Sequence, residues 1–208
     1  MRLCQIWRRF WRHNEGSSLL EFAFAAPIVI LVVAAIIDFM MVIFVTSLLE
    51  GGLQSASRFG RTGAVPAGMT REAMIQQLIA DSTIGLVDIN QVTIETKVYP
   101  CFDAIGQPEP FIDNNPANGS YDVGEPYTDV NGNGTWDSDM ASAGLGNPGD
   151  VVRYDLRYDW AALTPIIGKF FGPNGKIPLA VSVAVRNEPF SFSLPLVTGP
   201  AGPGTTGC

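Results

Sequence analysis

Three hydrophobic patterns follow one another along the chain, and each predicts a different element. From Phe22 to Val45 the sequence FAFAAPIVILVVAAIIDFMMVIFV is apolar throughout except for Asp38. At a rise of about 1.5 Å per residue, 24 residues exceed a hydrocarbon core of about 30 Å, so this run predicts a transmembrane helix. Beyond it, Leu48, Leu49, Leu53, Ala56 and Phe59 recur at helical spacing, which extends the helix outward as an amphipathic stalk to about Arg61, loosened at Gly51 and Gly52. Thr70 suits the N-cap of a short second helix with Glu72 in its first turn and Met74, Ile75, Leu78 and Ile79 as its core stripe. The period then changes to two. Val92, Ile94, Thr96 and Val98 alternate with polar neighbours, as do Val152, Tyr154, Leu156, Tyr158 and Trp160 with Arg153, Asp155, Arg157 and Asp159. Leu179, Val181, Val183 and Val185 predict a third strand, and Phe190, Phe192 and Leu194 a fourth. The expected fold class is α+β: one N-terminal transmembrane helix, extended as a stalk, packed on a small antiparallel sheet.

Charge orients this plan. The first sixteen residues hold Arg2, Arg8, Arg9 and Arg12 against Glu15, a leader of +3, and the chain total of −7 leaves −10 for the rest. Arginines just before the span place the N-terminus in the cytoplasm and the chain after about Thr46 outside. An acidic exported surface repels phosphate backbones, which argues against nucleic acid as a partner. Inside the span, Pro27 sits near the start, where a missing donor costs least. Asp38 is expected either to reach the interface or to contact a neighbouring helix in an assembly, and the sequence leaves both open.

A secretory signal has a shorter apolar stretch closed by a small-residue cleavage site, so this span is expected to be retained. Its upstream boundary is more informative. Gly16, Ser17, Ser18, Leu19, Leu20, Glu21 and Phe22 together resemble the cleavage motif of type IV prepilins. The segment EGSSLLEFAFAAPIVILVVAAIIDF, followed by SLLEGGLQSASRFGR, resembles the TadE-like pseudopilins of the tight-adherence (Tad/Flp) pilus machinery, and the run Ala184 to Phe190 is similar to the ending of such proteins. The resemblance implies cleavage after Gly16 by a prepilin peptidase, a mature chain starting at Ser17 with Glu21 as its fifth residue, and a pilin-like fold. Phe22 stands where major pilins of this type usually carry tyrosine, which fits a minor pseudopilin. It further implies other pilins or pseudopilins as partners through the N-terminal helix, an inner-membrane location with the C-terminal domain periplasmic or in a pilus, and a role in adhesion. Ser17 and Glu21, spaced i and i+4, share one helix face, so a new N-terminal amine can meet this carboxylate or a neighbour's. The organisation so implied is a leader at 1–16, transmembrane helix and stalk at 17–61, an exported α+β domain at 62–197 with an acidic insertion at about 101–150, and a Gly/Pro/Thr-rich tail at 198–208.

Between Val98 and Val152 there are nine acids and no Lys or Arg. At the centre of this stretch, Asp129-Val-Asn131-Gly-Asn133-Gly134-Thr135-Trp136-Asp137 resembles calcium loops of EF-hand and dockerin type. Calcium takes six to eight oxygens, here expected from Asp129, Asn131, Asn133, the Thr135 carbonyl and Asp137, with Gly134 at the sharp turn. Met140 occupies position 12, where the bidentate Glu belongs, so Asp122, Glu125 or Asp139 must complete the site; the alternative is an acidic turn-rich loop without metal. Of the three cysteines, Cys101 and Cys208 form a candidate disulfide, which an exported location permits; two thiols are the alternative.

Enzymatic chemistry is poorly provided for. The only histidine, His13, lies in the leader, which removes Ser-His and Cys-His pairs and His-built metal sites from the exported part. No phosphate-cradling loop occurs, and the acids cluster in one loop without a recognisable aromatic-lined cleft. The expectation is a non-enzymatic pseudopilin; the competing reading is an unprocessed, membrane-anchored calcium-binding or adhesive envelope module.

Overall fold

The computed structural model describes residues 17–62, 68–114, 117–171 and 175–188. The chain divides into two compact units, one made of residues up to Phe44 with Trp160–Ile177, the other of Val45–Asp159 with the residues from Pro178.

Helix α1, Ser17–Thr62, runs for 46 residues with Pro27 inside it. In the first unit its side chains are mostly exposed, from Leu19 (73%) and Phe24 (73%) to Met40 (64%). The exception is Asp38, which is 2% exposed. Its carboxylate accepts the backbone N–H of Leu163 at 2.7 Å and that of Thr164 at 3.2 Å. Asp38 therefore meets donors of its own chain, which the sequence did not indicate. Thr164 precedes a short helix, named α3 below, whose first residue is Pro165, and Pro is suited to a first helical position because its missing N–H is not needed there.

In the second unit, the stretch of α1 from Val45 onward buries Val45, Leu49, Leu53 and Ala56 completely. Against it packs α2, Arg71–Ser82, whose N-cap Thr70 accepts the Ala73 N–H at 3.2 Å and whose buried residues are Ile75 and Ile79. The expected loosening at Gly51 and Gly52 does not occur, since the helix continues through both. Gly52 is instead a packing residue: a Cβ there would lie 3.1 Å from the Ser82 Cβ and 3.3 Å from the Ile79 Cα.

The sheet comprises β1 (Thr93–Tyr99), β2 (Ser142–Ala143), β3 (Val151–Ala161) and β4 (Lys176–Arg186), in the order β2-β1-β3-β4, with α3 (Pro165–Phe171) between β3 and β4. Strands β1 and β3 are antiparallel, Thr93 facing Arg157 and Tyr99 facing Val151. Val152, Tyr154, Leu156, Tyr158 and Trp160 are buried, as alternation requires. This register is set by the apolar face, because on the other face it opposes like charges, Lys97 to Arg153 and Glu95 to Asp155. The charges escape sideways: Arg153 pairs with Asp155 along its own strand at 2.9 Å, Arg157 reaches diagonally to Glu95 at 3.6 Å, and Lys97 turns to Asp139 at 2.8 Å. The fourth strand expected at Phe190–Leu194 and the tail from 198 lie outside the described residues; the described fourth strand is the two-residue β2.

Tyr154 is fully buried, and its hydroxyl has no hydrogen-bond partner among the described residues. Burial pushes its phenol up from the ordinary value. The hydroxyl also sits 2.5 Å from where a Cβ on Gly60 would stand, and the Gly60 carbonyl accepts from Arg71. Removing a buried, unpaired hydroxyl relieves a desolvation cost, so Tyr154→Phe is expected to leave stability unchanged or raise it by up to about 1 kcal/mol. Urea unfolding checks this; a loss above about 1 kcal/mol would show that the hydroxyl is bonded.

Candidate functional site

The acidic insertion between β1 and β3 is built around Glu109, a residue with no exposed surface. One carboxylate oxygen accepts the N–H of Val130 at 2.7 Å and of Asn131 at 3.2 Å, and the other accepts that of Asp137 at 3.2 Å. Its backbone takes part too: the Glu109 N–H donates to the Asp137 carbonyl, and the Glu109 carbonyl accepts from Trp136 Nε1 at 2.9 Å. Phe111, Tyr121, Tyr127 and Trp136 gather beside it, Tyr121 stacked on Trp136 with centroids 4.5 Å apart and the remaining contacts edge-on. The insertion thus contains an aromatic cluster that the sequence did not reveal, contributing packing that a loop of acids alone lacks.

The loop that Glu109 holds contains all five of the expected calcium residues in one hydrogen-bonded group. Asp129 accepts the N–H of Gly132 and Asn133 on one oxygen and of Gly134 on the other, at 2.7–3.2 Å. Gly134 has φ +82, so glycine suits the turn at that position. Asp137 Oδ2 accepts from the side-chain amides of Asn131 at 2.8 Å and Asn133 at 2.5 Å. Asn133 Oδ1 accepts both the backbone N–H and the hydroxyl of Thr135. Asp129 and Asp137 thus accept N–H groups of the loop itself. Among the described residues no group of three or more His, Cys, Asp or Glu side chains converges.

The acids expected to complete the set lie elsewhere. Glu125 accepts the N–H of Asn114 and Asp122, and Asp122 accepts from the Asn118 amide, so both belong to the adjoining turn. Met140 is in an apolar cluster with Tyr99, Ala104 and Val151. Asp139 turns away to Lys97 at 2.8 Å and the Tyr99 hydroxyl at 3.2 Å.

That pairing has a pH signature. Burial pushes the Asp139 carboxyl up, but the bonds from Lys97 and Tyr99 outweigh it and hold the group below the usual value; Lys97 is raised, chiefly by its bond to Asp139. A depressed acid contributes stability above its unfolded pKa of about 3.9, lost as pH falls through the folded value; a raised lysine contributes below about 10.4, lost as pH rises through its own. Because the pair is about one-third exposed, Asp139→Asn is expected to cost no more than about 1 kcal/mol near neutrality. The difference from wild type should shrink below about pH 4 in acid titrations of stability.

At the other end of the chain, Gly16 lies outside the described residues, α1 opens at Ser17, and Glu21 and Phe22 are exposed one turn later. The helix has an 18-residue window of mean hydropathy 3.2, long and apolar enough to cross a membrane. Residues 16–58 match the family model described as TadE-like protein. The chain carries a TadE-like segment. The match opens on Gly16, covers the apolar helix, and ends within the buried stripe of α1, 43 of the 208 residues. No curated protein and no solved structure matches the chain. The TadE-like stretch therefore contains Gly16, Ser17, Glu21, Phe22 and Asp38, whereas Glu109, the aromatic cluster and the loop at 129–137 lie beyond it. Glu109 was missed as an organising residue because nothing local distinguishes it from the other eight acids; Trp136, the one large aromatic inside the loop, was the available hint.

Cys101 is disulfide-bonded. Cys4 and Cys208, the other cysteines, lie outside the described residues.

Proposed function

We propose that this chain is a minor pseudopilin of a Tad-like pilus system, inserted in the bacterial inner membrane with its leader in the cytoplasm, cleaved after Gly16 by a prepilin peptidase, and joined to other pilins or pseudopilins through α1. The observation that carries this reading is the position of the TadE-like match, which begins on the glycine immediately before α1. The protein works by assembly rather than catalysis, its outward domain lying in the periplasm or in an adhesive pilus. Cleavage removes Cys4 with the leader, and the pairing proposed for the mature chain is Cys101 with Cys208. Intact-mass measurement of the protein from its native host tests the reading: a mature chain starting at Ser17 supports it. A chain retaining the leader favours the unprocessed adhesive envelope module.

The second part of the proposal is that the loop at 129–137 takes calcium, supported by the gathering of Asp129, Asn131, Asn133, Thr135 and Asp137 around one turn. Ligand that binds only the folded chain stabilises by RT ln(1 + [L]/Kd), about 2.7 kcal/mol at 100 times Kd. Millimolar Ca²⁺ is expected to raise the melting temperature relative to chelator, Mg²⁺ to raise it less, and Asp129→Ala or Asp137→Ala to abolish the rise. Identical melting in Ca²⁺ and chelator would leave the loop a metal-free acidic turn.

A further inference from the structure

The segment that Asp38 holds has no role in the reading above. Around α3, the large apolar side chains Leu163 (57%), Ile166 (58%), Phe170 (80%) and Phe171 (58%) are exposed, while Ile167 and Gly168 face inward. Four exposed apolar side chains within nine residues would be costly in water. The same unit contains the exposed apolar side chains of α1, among them Ile36, Ile37, Phe39 and Met40, on either side of Asp38. The bonds from Leu163 and Thr164 to Asp38 fix the start of α3 at the level of that residue. Asp38 lies seven residues before Val45, so at about 1.5 Å per residue this level is about 10 Å inside the end of the apolar run. Amphipathic helices in the membrane interface bury their apolar face about 5–10 Å deep.

We propose that Leu163 and α3 form a lipid-facing shelf, its Leu, Ile and Phe side chains entering the acyl chains of the leaflet at the C-terminal end of the span. This rests on the reading of α1 as membrane-spanning. A backbone donor at that depth finds no water, and four donors at the turn into α3 are met inside the protein: Leu163 and Thr164 by Asp38, Ala162 by the Gly175 carbonyl, and Gly168 by the Thr164 carbonyl. This assigns Asp38 its place in an otherwise apolar run. Its carboxylate supplies acceptors that lipid lacks, and its negative charge sits at the N-terminal end of α3. Lys169 is exposed beside the apolar face, and its stem is long enough to carry the ammonium toward the headgroups.

The test uses the full chain reconstituted in phosphatidylethanolamine and phosphatidylglycerol vesicles, with the photoreactive residue p-benzoylphenylalanine placed at Phe170 in one sample and at Phe24 in another. Irradiation is expected to raise the protein mass by one phospholipid in both. Lipid attached at 24 but not at 170 overturns the shelf and leaves the span standing. No lipid at either position overturns both. A Phe170 adduct to a second copy of the chain, or to another protein when the experiment is repeated in host membranes, also overturns the shelf, because α3 would then be a protein-docking face.

Discussion

Glu109→Ala is expected to be the most damaging single substitution in the part of the protein that follows α1, costing about 3–5 kcal/mol. The substitution deletes the acceptor of three backbone donors, those of Val130, Asn131 and Asp137, inside a site with no exposed surface. A hydrogen bond to a charged group contributes about 1.5–3 kcal/mol, and a donor left dry costs about 1–3 kcal/mol; the loop can open to water, which keeps the total below the sum. Glu109→Gln should recover part of the loss, since it keeps the shape and one acceptor but presents an amide donor to one of the two donor groups. Asp129→Ala also removes an acceptor of three donors, yet those groups are exposed, so about 1 kcal/mol is expected. Urea unfolding of the three variants in detergent gives the order, and hydrogen exchange at Val130, Asn131 and Asp137 should quicken only when Glu109 changes. A Glu109→Ala protein as stable as wild type would mean that the aromatic cluster alone orders the insertion.

Replacing Gly16 with a bulky residue is expected to abolish processing, because the peptidase proposed to act there must admit the backbone around the scissile bond, and a side chain at Gly16 fills that space. The observable is all or none: intact mass and N-terminal sequencing should find the leader still attached. Glu21→Ala should differ in kind. It leaves the apolar run intact, so insertion continues, but it removes the carboxylate proposed to meet an N-terminal amine in the assembly. Cleaved, membrane-inserted Glu21→Ala protein that no longer co-purifies with pilin partners is the expected result. Normal pili with Glu21→Ala would remove that role while leaving the cleavage reading intact.

What could be read directly from the chain was whatever repeats. The apolar run, the stripe at Leu49, Leu53 and Ala56, the Thr70 cap and the alternation from Val152 to Trp160 each report a local period, and the structure contains the long helix and the small antiparallel sheet they imply. Helix α3 has seven residues, and the two residues before it are held by an acid more than 120 positions earlier, so neither its existence nor the purpose of Asp38 is a local property. Only the Thr164-Pro165 pair hinted at it. The acidic insertion was harder for a different reason. A carboxylate that binds a cation and one that gathers backbone N–H groups have the same composition and favour the same Asn/Gly turns, so the sequence could place Asp129 and Asp137 in one loop but could not say that Asp139 would leave it for Lys97. Gly52 misled similarly, because a glycine that admits a neighbouring helix looks like one that weakens its own.

The shortness of β2 bears on how the protein keeps to itself. Only Lys97 and Val98 of β1 have partners in that strand, so on this side Thr93 to Thr96 show a bare rim of donors and acceptors toward which no described strand is paired. A bare rim can recruit a strand from another molecule. Here the rim is four residues long, bears Glu95, and ends at Lys97, so an approaching strand would have to desolvate both charges for a handful of bonds. Edge-to-edge pairing between copies of the chain is thereby discouraged at the backbone level.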